Sequence, residues 1–154
     1  MTIEDDIAFF ERVPTLGLMG RAALRILAIG AESRYVHSGE VLFNAGDEAD
    51  CGYIVQEGSF SLAPRESDGG PTITVGRGTL MGELALLTET TRPVTATALE
   101  PSTVMRVPRS LFLKMLEGYP DAATRLRDMI ASRTDQSARD IYNVRNTLDQ
   151  AGRK

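Results

Sequence analysis

Between positions 39 and 82 this chain cannot hold a helix of ordinary length. Nine of its fourteen glycines fall there, at 39, 46, 52, 58, 69, 70, 76, 78 and 82, most of them six to eleven residues apart. Glycine is among the poorest helix formers and the commonest turn former, so the spacing marks turns between short extended segments. The intervening runs at 41–43, 53–55, 59–62 and 72–75 are rich in β-branched or aromatic residues, as strands require. Two further strands are expected at 95–99 and 103–107. Short strands separated by glycine turns predict a closed or rolled β-structure rather than alternating strands and helices.

Helical patterning is confined to the two ends. Leu16, Met19, Ala22, Ala23, Leu24, Ile26 and Leu27 recur at helical spacing, with Thr15 as candidate N-cap, which predicts a helix within 12–30. After the roll, 110–117 reads as a short helix closed by Gly118, and Pro120 with Asp121 opens a longer one directed toward Gln150. The long helix has apolar positions at Leu126, Met129 and Ile130, a polar interval over 132–137, then Ile141, Val144 and Leu148. A polar gap of this kind faces a polar ligand, crosses solvent or marks a bend. The expected class is α+β and mainly β: one domain over 1–154, a jelly-roll-like β-roll at 35–108, and helices before it and at 109–150.

Composition removes several functions. Cys51 and His37 are each the only residue of their type, so neither an intrachain disulfide nor a cysteine–histidine zinc site is expected. Cys51 reads as a small packed side chain and His37 as a surface or capping residue. The net charge is −4, and seven basic against five acidic residues from Pro120 onward give +2 there and −6 before it. No basic block meets what a nucleic-acid binder needs. No apolar run approaches the roughly 18 residues of a membrane span. A cytoplasmic chain without membrane or DNA contact is the expectation. No nucleophile–base pair, metal triad or Walker-type loop is recognisable, so no enzymatic activity and no metal or cofactor is expected.

One stretch carries chemistry. Residues 81–98 read MGELALLTETTRPVTATA, with Gly82 and Glu83 followed nine residues on by Arg92. A carboxylate accepts from sugar hydroxyls, a guanidinium grips phosphate oxygens in a fork, and the first amides of a short helix are anion donors. Glu83 and Arg92 alternatively pair with each other across a loop, an ion pair of little net value.

In order and spacing, these residues resemble the cyclic nucleotide-binding domain family, the regulatory β-roll of catabolite-activator-type regulators, kinase regulatory subunits and gated channels. The stretch Gly82 to Arg92 is similar to that family's phosphate-binding cassette, within 81–95. Ser38-Gly39-Glu40-Val41-Leu42-Phe43, Gly46-Asp47 and Tyr53-Ile54-Val55 through Gly58 resemble its first strands and turns. The resemblance implies that Glu83 accepts from a ribose 2′-hydroxyl, that Arg92 pairs with a cyclic phosphate, and that the N–H groups of Leu84 and Ala85 cap its oxygens. It also implies a base contact from Ser137, with Arg133 one turn earlier, both inside the polar interval, and a homodimer through the C-terminal helix. Pro93 departs from the family, which usually offers an N–H and often a hydroxyl there; proline has neither. The missing hydroxyl favours cAMP over cGMP as ligand, and the missing N–H weakens affinity. Two other readings follow: an interaction or dimerisation roll with weakened or lost nucleotide binding, and the sensor part of a transcription regulator, since only 17 residues follow Ser137, too few for a helix-turn-helix domain.

Overall fold

The chain opens on a helix with reciprocal caps. The Asp5 N–H donates to Thr2 Oγ1 and the Thr2 N–H donates to Asp5 Oδ2, both at 3.1 Å, and this capping box starts α1 (Ile3–Glu11). The structure, a computed structural model, describes residues 2–132. A 3-10 turn at Leu16–Leu18 and α2 (Arg21–Gly30) follow. The single helix expected within 12–30 is thus two pieces, with α1 unforeseen before them. Gly20 is the reason: at φ +87° it turns the backbone out of the helical region between the pieces. Thr15 caps nothing with its side chain and itself sits at φ +76°.

Among the described residues ten strands, all paired antiparallel, form the roll. One sheet has the order β1 (Glu32–Val36), β10 (Ser102–Pro108), β4 (Cys51–Glu57), β7 (Leu80–Met81). The other has β2 (Val41–Phe43), β9 (Val94–Ala98), β5 (Ser59–Pro64), β6 (Ile73–Gly76), and β3 (Glu48–Ala49) pairs with β8 (Thr90–Thr91). All six expected strands are present within a residue or two of their expected bounds. The four unforeseen ones are β1 and three two-residue strands. In β1 four of the five residues are exposed, so no hydrophobic alternation announces it.

Two apolar clusters share β4 as a wall. Cys51, Tyr53 and Val55 point into the roll with Val36, Phe43, Phe60 and Val104. Ile54, on the opposite face, joins Phe10, Leu24, Leu27 and Phe112 of the helical layer. Period-two alternation on a strand buried on both faces produces this split. After β10 come α3 (Arg109–Gly118) and α4 (Pro120–Ala131), with Pro120 at the first turn as expected. No helix among the described residues is long and apolar enough to cross a membrane.

Candidate functional site

Gly82 follows β7 and turns the chain at φ +84° into a 3-10 turn at Leu84–Leu86. A Cβ there would collide with Arg92 Nη1 and lie 3.3 Å from the Cys51 carbonyl oxygen, so only glycine lets the cassette close on the arginine. The Ala85 N–H donates to the Gly82 carbonyl at 3.1 Å, and the Leu86 N–H to that of Glu83 at 3.1 Å.

Arg92 enters from the other side of the cassette, just after β8. Its backbone is held at both ends: its N–H donates to the Asp47 carbonyl and its own carbonyl accepts from Gly46 N–H, each at 2.8 Å. The side chain runs inward and the residue is only 4% exposed. The guanidinium lies over the rings of Phe43 and Tyr53, with Cζ 4.4 and 5.4 Å from the centroids, and those rings stack on each other at 5.9 Å. Nη2 donates to Cys51 Sγ at 3.2 Å. Nη1 is buried and donates to nothing among the described residues. Among the described residues no carboxylate forms an ion pair with Arg92, so the pairing with Glu83 weighed from sequence is not what organises this loop.

A buried guanidinium with one orphaned nitrogen is an expensive arrangement. Buried charges are almost always paired, and leaving a charged donor unsatisfied costs at least about 1–3 kcal/mol. The cation–π contacts offset part of this, at about 2 kcal/mol when desolvated. The rest is an unmet demand for an anion. A cavity of about 590 Å³ lies beside it, lined by Gly82, Glu83, Leu84, Ala85, Arg92 and Pro93 together with apolar side chains such as Phe43 and Leu62. That volume suits a small metabolite.

Burial, followed by a hydrogen bond with Cys51, pushes the Tyr53 phenol above its ordinary value. It therefore stays neutral in the arginine's platform. Glu83 accepts a hydrogen bond from the Thr15 hydroxyl at carboxylate Oε2. The same hydroxyl oxygen lies 4.0 Å from the Met129 sulfur on α4. Thr15 is buried, and a β-branched residue at positive φ costs about 1–3 kcal/mol of backbone strain.

The six cassette residues named from sequence therefore line one cavity, while Arg133 and Ser137 lie outside the described residues. Sequence reasoning missed Thr15, Cys51 and the Phe43–Tyr53 platform. Cys51 and Tyr53 were legible in principle, because residues two apart on a strand share a face. Nothing local marks Thr15. Among the described residues no group of three or more His, Cys, Asp or Glu is placed to hold a metal ion.

An antiparallel roll that buries an arginine beside a glycine-turn cassette, with helices at both ends, defines a ligand-binding regulatory module. The profile of the family described as cyclic nucleotide-binding domain matches residues 33–119, more than half the chain. The chain belongs to that family. A lysophospholipase of Chaetomium globosum is 33% identical over 120 residues, covering 77% of this chain and 8% of its own length. The chain thus spans less than a tenth of such a relative. A cyclic nucleotide-binding-like protein from Brucella abortus is 38% identical with TM-score 0.65, over 73% of this chain and 98% of that one. The N-terminal domain of a transcriptional regulator from Streptomyces coelicolor is 26% identical with TM-score 0.71, over 92% and 94% of the two chains.

Proposed function

We propose that this chain is a non-catalytic cAMP receptor module in a cytoplasmic setting. In this reading Arg92 holds the cyclic phosphate, Glu83 accepts from the ribose 2′-hydroxyl, and Gly82, Leu84, Ala85 and Pro93 form the remaining cassette wall. The orphaned, buried Nη1 of Arg92 is the observation that carries it: a desolvated donor beside a metabolite-sized cavity is satisfied by a phosphate oxygen. Arg133 and Ser137 close the base side, and cAMP is preferred over cGMP because Pro93 brings no hydroxyl. The ligand then favours one position of the C-terminal segment by population shift, and Ile141, Val144 and Leu148 supply apolar contacts for homodimerisation. Light scattering with and without nucleotide checks that last element.

Calorimetry with cAMP and cGMP tests the reading. The parent is expected to bind cAMP more tightly, and Arg92→Ala to lose about a hundredfold or more, as removing two charge-assisted hydrogen bonds implies. No heat at millimolar nucleotide, with Arg92→Ala behaving as the parent does, overturns it. Pro93 favours a second reading, a roll acting through protein contacts with nucleotide binding lost; absence of any thermal stabilisation by nucleotide would select it.

A further inference from the structure

The Glu83 carboxylate is bound from the helical layer. Its Oε2 accepts from the hydroxyl of Thr15, 68 positions earlier in the chain, in the loop between α1 and the 3-10 turn. Thr15 is 7% exposed, holds φ +76°, and is the only non-glycine residue at positive φ among the described residues. Glycine would adopt that backbone without strain but brings no donor. A carboxylate has two oxygens and about four acceptor sites, so the bond from the Thr15 hydroxyl helps to fix its orientation and is compatible with further acceptance. The same Thr15 oxygen packs 4.0 Å from the Met129 sulfur, so α4, Thr15 and the cassette carboxylate meet at one point.

We infer that Thr15 is a positioning residue for the ligand's sugar: its hydroxyl orients the Glu83 carboxylate toward the ribose 2′-hydroxyl and so joins sugar recognition to the helical layer. This rests on the cAMP reading above. It assigns a role to a residue outside the cassette, and it explains why a strained, β-branched side chain occupies a turn where glycine fits more easily.

Calorimetry with cAMP and with 2′-deoxy-cAMP, on the parent and on Thr15 variants, tests it. The parent is expected to prefer cAMP by about tenfold, as one charge-assisted hydrogen bond implies. Thr15→Val keeps the side-chain shape and loses the donor; cAMP affinity should fall most of that tenfold while 2′-deoxy-cAMP affinity stays within about twofold. Thr15→Gly, which takes the backbone conformation without strain, should erase the preference in the same way, and Thr15→Ser should keep it. Equal losses for both nucleotides, or a preference intact in both Thr15→Val and Thr15→Gly, overturn the inference and leave the receptor reading standing. A parent that binds both nucleotides equally overturns the sugar contact itself. A parent that binds neither overturns the receptor reading and the inference with it.

Discussion

Arg92 and Pro93 are neighbours with opposite consequences for an anion. The guanidinium is desolvated, stacked on Phe43 and Tyr53, and one nitrogen short of partners; the next residue lines the same cavity without an N–H to offer. Pro93→Ala restores the donor. Binding of cAMP should tighten about tenfold, up to about a hundredfold if water does not now fill the gap. The same change frees the unfolded chain and should lower stability by up to about 1 kcal/mol, so affinity and melting temperature move in opposite directions. Calorimetry and thermal melts on one preparation read both. Tyr53 gives a prediction in pH. Burial, then the Cys51 contact, raises its phenol above 10.0, so the folded state holds the proton more tightly than the unfolded chain does. Its contribution is complete below the unfolded value and is lost as pH rises through the folded one. Urea midpoints should therefore decline above about pH 10, less steeply in Tyr53→Phe than in the parent. That Gly82, Glu83 and Arg92 line one cavity was legible in sequence from their order and spacing. The arginine's platform was not, since a cation–π stack depends on β2 meeting β4, which no local spacing encodes.

At the scale of elements, α3 is tied to the cassette through its first residue. Arg109 Nε donates to the Ala85 carbonyl at 2.8 Å and Nη2 donates to that of Ala49. Both acceptors belong to buried residues that line the candidate site. Arg109→Met keeps the apolar stem and removes both charge-assisted donors to the buried carbonyls. Stability should fall by about 1–3 kcal/mol, read as a loss of roughly 2–10 °C in melting temperature. Amide exchange at Leu86 and Leu87 should quicken more than exchange in β5, which Arg109 does not touch. Six of the ten strands and α3 were legible to within a residue or two because glycine turns and apolar runs bound them. The N-terminal layer was not. Its apolar spacing from Leu16 to Leu27 reads as one helix, and the break depends on the backbone at Gly20. The α1 capping box of Thr2 and Asp5 was written in the sequence but overlooked, because the segment reads first as a patch of acidic charge.

Across the molecule, the candidate site bears on both apolar clusters at once. Arg92 rests on Phe43 and Tyr53 of the roll interior, whereas Glu83 reaches Thr15 and the turn after it buries Leu86 among the helices. Strand β4 is common to the two, with Tyr53 and Val55 on one face and Ile54 on the other. A ligand that binds only this folded arrangement stabilises it by mass action, about 2.7 kcal/mol at a hundred times its dissociation constant. For a chain of this size that is a rise of roughly 5–10 °C. Because the clusters share a wall, the rise should be common to both. Far-UV circular dichroism, dominated by the helices, and the near-UV signal that is lost in Tyr53→Phe should melt together and shift together when cAMP is added. If the near-UV transition alone moved, the clusters would be separate folding units, and occupancy of the cassette could not reach α4 through the core.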